Sequence, residues 1–171
     1  HATGWPLDDN NPGGSFLYHT ANNQVVVGLI VDLCYENPHL SPFEEFQRYK
    51  HHPIIQRYLQ DGKRVSYGAR AIAKGGHNSL PEMAFPGGVL VGCDAGTLNF
   101  AKIKGTHAAM KSGMLAAQAI FEAVVSDPTS VQPLNNYGSL FSNSWLGEEL
   151  ERSRNFGPAM HKFGSVLGGA F

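Results

Sequence analysis

The alternation of apolar and polar residues predicts a β-hairpin near the start of the chain. An extended run covers residues 13–19, polar residues follow at positions 20–24, and an apolar run covers residues 25–31. Two such runs on either side of a short polar loop are typical of paired antiparallel strands. A further strand is predicted at residues 65–67, after the turn at residues 61–63.

Two helical patterns follow the hairpin. Ser41 and Pro42, with acidic residues directly behind them, are typical of a helix N-terminus, so a helix is predicted from residue 42. Three aromatic residues share one of its faces and are expected to pack into a core: Phe43, Phe46 and Tyr49. His51-His52-Pro53 ends this helix, and residues 54–59 predict a short second one.

The longest helix is predicted at residues 106–125, with Thr106 as its capping residue. Apolar and small residues recur along it at helical spacing: Ala109, Met110, Gly113, Met114, Ala117, Ile120, Phe121 and Val124. The helix ends at Ser126-Asp127-Pro128. After a linker, an amphipathic helix is predicted at residues 140–154, and the chain closes on an apolar, glycine-rich tail at residues 163–171.

The composition predicts a folded protein and argues against a polyanionic partner. The 171 residues are 42% hydrophobic, which is enough to bury a sizeable core. The 13 basic and 14 acidic residues leave a net charge of -1, so nucleic acid is not expected as a partner. The 2 cysteines, Cys34 and Cys93, indicate neither a disulfide framework nor a zinc knuckle, and they favour a reducing compartment.

The start of the sequence favours an internal piece of a longer polypeptide. The first residue is His1 rather than Met, and the opening residues lack the charged and apolar regions of a signal peptide. No run approaches the roughly 18–20 consecutive apolar residues that a spanning helix needs, so a transmembrane segment is not predicted.

Closely spaced glycines at residues 75–96 indicate backbone that passes near a ligand or another backbone. An apolar strand there is expected to place the carboxylate of Asp94 at its end. Gly105-Thr106 then begins the longest helix, and its free N–H groups attract an anion or a carbonyl oxygen. The pattern predicts an acceptor site between Asp94 and this helix N-terminus.

These residues also have purely structural interpretations. Asp94 could cap a turn, and Thr106 could serve only as a helix cap. Lys102 and Lys104 could be solvated rather than partners of a negatively charged ligand. Four histidines raise the possibility of a metal site: His39, His51, His52 and His77. Adjacent histidines point apart on most backbones and no acid or thiol completes a set, so no metal ligand is predicted.

The stretch Phe85-Pro86-Gly87-Gly88-Val89-Leu90-Val91-Gly92-Cys93-Asp94-Ala95-Gly96, followed by Lys102-Ile103-Lys104-Gly105-Thr106, resembles the second flavin fingerprint of FAD enzymes related to glutathione reductase. In those enzymes a strand-end aspartate holds a ribityl hydroxyl, and a helix N-terminus meets the N1–C2=O edge of the isoalloxazine. Asp94, Gly105 and Thr106 match these roles. Cys93 stands where the usual pattern has glycine.

Further motifs, in order along nearly the whole chain, are similar to the electron transfer flavoprotein-ubiquinone oxidoreductase family. They are Gly13-Gly14-Ser15-Phe16-Leu17-Tyr18-His19, the run at residues 40–53, Tyr67-Gly68-Ala69-Arg70-Ala71 and the run at residues 102–113. The resemblance implies an α+β fold in which an antiparallel sheet packs on helices and is joined to part of an FAD-binding domain of the glutathione-reductase-like type.

The resemblance also implies how the chain is divided. Residues 1–80 would form the ubiquinone-binding domain, with its sheet and helices. Residues 81–126 would form the second half of the FAD fingerprint and its helix. Residues 127–171 would form a linker, an amphipathic helix and an apolar tail that faces a membrane.

The function implied is electron transfer from reduced electron transfer flavoprotein, through FAD, to ubiquinone. The enzyme would be peripheral on the inner membrane, cytoplasmic or mitochondrial, and no residue would act as a catalytic acid or base. The quinone-binding residues implied are Gly13, Gly14 and Ser15. The FAD-binding residues implied are Gly75, Gly76, Asn78, Ser79, Asp94, Ala95, Gly96, Gly105 and Thr106.

Two parts of the family's pattern are absent from this sequence. There is no glycine-rich fingerprint for the FAD pyrophosphate, and 2 cysteines cannot supply the ligands of a 4Fe-4S cluster. The full-length protein is therefore expected to hold the cluster, but this chain is not expected to supply its ligands. Two alternatives remain. One is another FAD-dependent oxidoreductase, such as a prenyl-chain reductase, and the other is a truncated binding module without turnover.

Overall fold

The computed structural model describes residues 1, 4–129 and 134–170, apart from the side chain of residue 165. It divides into two compact units, His1–Gly68 and Ala69–Phe171. Each unit contains an antiparallel strand pair and α-helices, so the mixed α and β content expected from the sequence is confirmed. The predicted domain boundaries at residues 80 and 126 stay predictions.

The first unit contains the predicted hairpin. Strands β1 (Gly13–Thr20) and β2 (Gln24–Val31) pair antiparallel, with Gly13 opposite Val31 and Thr20 opposite Gln24. Asn22 and Asn23 make the turn with φ angles of 59° and 55°. Asparagine tolerates this left-handed conformation, which matches the twist of the two strands and fixes their register.

The two predicted helices of the first unit are confirmed as α1 (Pro42–Lys50) and α2 (Pro53–Leu59). The Ser41 hydroxyl accepts a hydrogen bond from the Glu44 N–H at 3.4 Å and so caps α1. Helix α1 packs against β2 and buries Tyr49. Phe43 is 67% exposed, so the expectation that it packs into the core is wrong. It lies in the first turn of α1, before the buried face begins.

The predicted strand at residues 65–67 is absent, and this expectation is corrected. Residues 63–76 have no regular secondary structure, and Val65 and Tyr67 are 75% and 88% exposed. Among the described residues no strand lies beside them to form a ladder, and an isolated extended segment gains nothing from its β propensity. Arg64 instead stacks over the Tyr67 ring, with its guanidinium carbon 5.2 Å from the ring centroid.

The described residues of the second unit include a short strand pair, β3 (Ala84–Phe85) and β4 (Gly88–Val89), followed by four α-helices. The helices are α3 (Thr106–Ser126), α4 (Tyr137–Ser142), α5 (Trp145–Arg152) and α6 (Phe156–Gly168). Two 3-10 helices, His77–Ser79 and Gly92–Ala95, lie before α3. The predicted helix at residues 140–154 is therefore wrong as one element. The Ser144 hydroxyl accepts from the N–H groups of Leu146 and Gly147 and starts a new helix there.

The core of the second unit lies between α3, α4 and α5. One face of α3 carries small residues, which lets large side chains from α4 and α5 approach the helix closely. The buried cluster consists of Ala108, Leu115, Ala116, Ala119, Tyr137, Phe141, Leu146 and Leu150. This core fixes the position of α3, and with it the position of the helix N-terminus at Gly105-Thr106.

The opposite face of α3 is apolar and exposed. It includes residues of the stripe recognised in the sequence: Met110, Met114, Ile120, Phe121 and Val124. Among the described helices α3 is the only one long and apolar enough to cross a membrane by length and composition, a test that core helices of soluble proteins also pass. Five of its residues are buried in the core described above or against it.

The predicted apolar tail lies mainly in α6. Gly164, with φ of 71°, interrupts the helix, and Val166 and Leu167 beyond it are strongly exposed. Phe171 lies outside the described residues, as do the linker residues 130–133.

Candidate functional site

The turn that carries Asp94 is fastened to α3. Gly92 has φ of 61°, and its N–H donates a hydrogen bond of 2.8 Å to the buried Ser112 hydroxyl. The Thr97 hydroxyl donates to the Gly92 carbonyl at 3.0 Å. A Cβ at position 92 would lie 3.2 Å from the Cβ of Ala109, so glycine satisfies both the backbone angle and the close packing on α3.

Asp94 itself lies in the 3-10 helix Gly92–Ala95 rather than directly at a strand end, because β4 stops at Val89. Its side chain is 76% exposed, and its nearest cation is Arg70, whose Nη2 lies 4.0 Å from Oδ1. An exposed pair at this distance contributes little stability, so the carboxylate is open to another partner. Ala95 and Gly96 are buried in the turn.

The Gly75-Gly76 segment lies against the same turn. The Gly76 N–H donates to the Gly96 carbonyl at 3.0 Å, and a Cβ at Gly75 would come within 3.3 Å of that carbonyl oxygen. Ser79 closes the following 3-10 helix by donating from its hydroxyl to the Gly76 carbonyl at 3.3 Å. Asn78 points its amide toward the carbonyl of Arg154, 3.4 Å away. The structure thus brings Gly75, Gly76 and Ser79 next to Gly96.

Gly105, not Thr106, is the N-cap residue of α3, and no side chain caps the helix. The prediction that Thr106 caps it is therefore wrong. Thr106 is the first helical residue, is exposed, and its hydroxyl has no hydrogen-bond partner among the described residues. The first N–H groups of any helix lack intrahelical acceptors. The start of α3 therefore presents uncommitted donors.

Gly105 and Thr106, at the start of α3, line a cavity of about 290 Å³. It is lined by Ile72, Cys93, Thr97, Leu98, Gly105, Thr106 and Ala109. A second cavity, of about 370 Å³, has Gly75, Gly76 and His77 in its wall and shares Leu98 with the first. Of the predicted site residues of this unit, Gly75 and Gly76 line the second cavity and Gly105 and Thr106 line the first. The other five line neither cavity: Asn78, Ser79, Asp94, Ala95 and Gly96.

The loop before α3 is anchored by Glu149 of α5. Its Oε1 accepts from the Asn99 amide at 2.9 Å and lies 2.7 Å from His107 Nε2, and its Oε2 accepts from Lys102 Nζ at 2.5 Å. Burial alone would raise the pKa of Glu149. The hydrogen bonds from Lys102, His107 and Asn99, with the attraction of His107, outweigh that effect and lower the pKa to about 2.

Sequence reasoning missed Glu149 and Ser112. The signal for Ser112 is a polar residue on the small-residue face of α3, which is a costly place for a hydroxyl without a partner. Glu149 carries no such signal, because it lies 42 residues or more from the groups that it binds. An acidic residue on an amphipathic helix usually faces solvent.

The predicted quinone residues lie in β1 of the first unit. A side chain at Gly13 would overlap the carbonyl oxygen of Ile30 and the side chain of Leu7, so glycine is required there by the hairpin itself. Gly14 is half-buried and pairs with Ile30, and Ser15 is buried.

The histidines of the metal hypothesis have separate surroundings. His52 caps α2, since its Nδ1 accepts from the Ile54 N–H at 3.3 Å, and its ring packs against Trp5. The described residues contain no group of three or more His, Cys, Asp or Glu side chains that could hold a metal ion. Cys34 and Cys93 belong to different units. Two cysteines in different units do not fit the ligand set of an iron–sulfur cluster.

Comparison with known proteins gives consistent relationships. Residues 1–72 match the family described as "ETF-QO, ubiquinone-binding". The chain is 68% identical over 171 residues to electron transfer flavoprotein-ubiquinone oxidoreductase of Pseudomonas aeruginosa, covering 100% of this chain and 31% of that protein. It is 56% identical over 188 residues to the probable enzyme of this name from Acinetobacter baylyi, covering 100% of this chain and 33% of that protein.

The similarity extends to mitochondrial proteins. The human mitochondrial electron transfer flavoprotein-ubiquinone oxidoreductase is 49% identical over 175 residues, which cover 99% of this chain and 28% of the human protein. The chain thus spans about a third of the length of the curated relatives that it matches. It belongs, over that third, to the electron transfer flavoprotein-ubiquinone oxidoreductase family.

Proposed function

We propose that this chain supplies one rim of an FAD site, together with the quinone-binding unit, of an enzyme that passes electrons from reduced electron transfer flavoprotein to ubiquinone. The observation that carries the proposal is the start of α3, where the Thr106 hydroxyl and the first helical N–H groups line a cavity without partners among the described residues. The names of the curated relatives supply the reaction.

The residues around this cavity fit the polar edge of a flavin. Helix N–H groups and the positive end of the helix dipole favour negative charge at their position. The Thr106 hydroxyl adds a donor, and the exposed Asp94 carboxylate can accept from a ribityl hydroxyl. Gly75 lets its segment pack directly on Gly96 beside this site, since a Cβ there would lie 3.3 Å from the Gly96 carbonyl oxygen. Bound FAD would supply the redox chemistry.

The task of these residues is to orient the cofactor and set its potential. Donors at the start of α3 stabilise negative charge on the ring, so they raise the potential at which it accepts electrons. No described residue is needed as a general acid or base for this chemistry. Four predicted residues support the site by holding its backbone. Asn78 and Ser79 donate hydrogen bonds to backbone carbonyls, the Gly96 carbonyl accepts from Gly76, and Ala95 is buried inside the turn.

The first unit is the proposed quinone-binding part. Support comes from its match to the ubiquinone-binding family description over residues 1–72. Within it, Gly14 offers partly exposed backbone at the edge of the hairpin, where a quinone head group could contact the chain directly. Gly13 and Ser15 serve mainly to hold that strand in place.

The membrane is the proposed source of the quinone. Leu167, at 71% exposure, and Val166 are large apolar residues at the end of α6, and such side chains lower their free energy by entering a lipid interface. The protein would be peripheral on the inner membrane, in keeping with a mitochondrial relative. An iron–sulfur cluster, if the enzyme holds one, would be bound outside this chain.

The test of the flavin proposal is Thr106→Val in a full-length enzyme carrying this segment, with Thr106→Ser as the matched control. Valine keeps the shape but removes the donor, which costs about 1 kcal/mol when a hydrogen bond to the reduced ring is lost. We expect FAD to be retained at a lower midpoint potential in Thr106→Val and at an unchanged potential in Thr106→Ser. Equal potentials in all three proteins would leave Thr106 with a structural role only.

A further inference from the structure

The loop at residues 99–105, which leads into α3, is held by a single carboxylate from another helix. The helix start at Gly105-Thr106 has three polar residues close to it in sequence. Asn99 and Lys102 precede it and His107 follows it. All three contact Glu149, at 2.9, 2.5 and 2.7 Å respectively. Because both carboxylate oxygens are used, a rotation of the Glu149 side chain would break contacts on both sides of the helix start.

The surroundings of this carboxylate make its contacts strong. The Glu149 side chain is only 18% exposed, and Asn99 is buried. Hydrogen bonds to an ionised group away from water are stronger than those between neutral groups. His107 is fixed a second time, because its ring stacks on Trp145 of α5 at 5.9 Å between centroids and 9° between planes.

The loop itself needs such a clamp. Asn99 and Lys104 exchange two backbone hydrogen bonds, of 3.1 and 3.3 Å, which close the loop into a tight turn. Ile103 lies within that turn at φ of 54°. A β-branched residue in the left-handed region is strained and persists only where neighbouring contacts impose it. Ile103 is largely exposed, so its own side chain does not supply those contacts.

We propose that Glu149 is a positioning residue: through Asn99, Lys102 and His107 it holds the 99–105 loop so that the first N–H groups and the Thr106 hydroxyl of α3 stay aimed at the bound ring. This inference rests on the proposed flavin function. It gives α5 a role in setting the flavin potential. Helix α5 lies within the part of the chain that was predicted as linker, amphipathic helix and tail. Glu149 does not itself contact the reacting atoms.

The lowered pKa of Glu149 is consistent with this role, since the Glu149 carboxylate stays ionised at all physiological pH values. The groups that face the carboxylate are the Lys102 ammonium, the His107 ring and the neutral Asn99 amide. A neutral side chain of the same shape would keep the Asn99 contact in part but lose the ionic bond to Lys102.

The test is Glu149→Gln, with Glu148→Gln as the matched control. Glu148 is the adjacent residue on α5, its side chain is 65% exposed, and its carboxylate pairs with Arg152 at 3.5 Å. The first measurement is amide hydrogen exchange on the chain itself, which requires no flavin. We expect the amides of Ile103 and Lys104 to exchange roughly tenfold faster in Glu149→Gln and at the wild-type rate in Glu148→Gln.

The second measurement is the flavin midpoint potential of a full-length enzyme carrying each change. Loss of a negative charge alone would raise the potential, because reduced flavin is more negative than oxidised flavin. Loss of donor alignment would lower it. A potential that falls in Glu149→Gln, with FAD retained, and does not fall in Glu148→Gln supports a positioning role.

Three outcomes overturn the inference: exchange that matches the control, a potential that does not change, or a potential that rises. If Glu149→Gln does not fold, Lys102→Met replaces it, because this change removes one of the three contacts and should give a smaller acceleration at the same amides. A wild-type enzyme that binds no flavin would instead refute the proposed function, while the exchange measurement would still decide whether Glu149 holds the loop.

Discussion

The bond between Ser112 and Gly92 gives the most quantitative prediction for the fold of the site. Ser112 is fully buried in α3, accepts from the Gly92 N–H at 2.8 Å, and donates to the Ala109 carbonyl at 2.9 Å. It is the direct polar link between α3 and the turn that carries Asp94. Ser112→Ala removes this link and leaves the buried Gly92 N–H without an acceptor.

The magnitude follows from two opposing effects. A buried donor without a partner costs about 1–3 kcal/mol. Alanine is a better helix former than serine by about 0.5 kcal/mol, which offsets part of the loss. We therefore expect Ser112→Ala to lower the free energy of unfolding by about 0.5–2.5 kcal/mol. For a unit of about 100 residues this corresponds to a fall in Tm of roughly 2–20 °C.

The assay is thermal and denaturant unfolding of the chain, followed by circular dichroism. Ser126→Ala is the matched control, because Ser126 also lies in α3 and donates to a carbonyl of its own helix at 2.8 Å, but is exposed. We expect the control to change stability by less than about 0.5 kcal/mol. Equal effects of the two substitutions would refute the view that the Ser112–Gly92 bond fastens the turn to α3.

Three further predictions concern quinone, membrane and pH. Gly14→Val should slow quinone reduction in a full-length enzyme while electron acceptance from the donor flavoprotein persists, and unchanged quinone turnover in steady-state assays would contradict this. Leu167→Asp should weaken binding to liposomes in a sedimentation assay, because an acid at an apolar interface is costly to desolvate; binding equal to that of the unchanged protein would exclude the tail from the membrane contact. The lowered pKa of Glu149 should contribute stability that is present above pH 4.5 and is lost as the pH falls toward about 2, so the acid unfolding limb should be shallower in Glu149→Gln.

Local sequence signals predicted the elements that depend on local physics. The hairpin follows from two apolar runs and a pair of asparagines that accept positive φ. Helix α1 follows from Ser41, which does cap it, and α3 from a long periodic run. Each of these choices is decided by neighbours within a few residues, which a single sequence displays.

The errors arose where distant contacts decide the outcome. Residues 65–67 have strand propensity but no described partner, and one helix became two because Ser144 caps the second. The apolar stripe on α3 was recognised in the sequence. The core, however, forms on the other face of the helix, where smaller residues leave room for the large side chains of α4 and α5. The Glu149 clamp joins groups that no local pattern connects.

Family resemblance identified most of the candidate site, and the geometry adds detail to it. Gly75, Gly76 and Gly96 are brought together, and Gly105 and Thr106 line one cavity. Whether these residues contact FAD stays a prediction.

The most direct test of the central claim is quinone-dependent reoxidation of the flavin in a full-length enzyme carrying this segment. The enzyme is reduced anaerobically with reduced electron transfer flavoprotein, mixed with a short-chain ubiquinone, and followed by flavin absorbance. We expect oxidised-flavin absorbance to return on the addition of quinone and to return more slowly in Gly14→Val. A flavin that remains reduced in the presence of quinone would contradict electron transfer to ubiquinone and favour another flavin-dependent oxidoreductase.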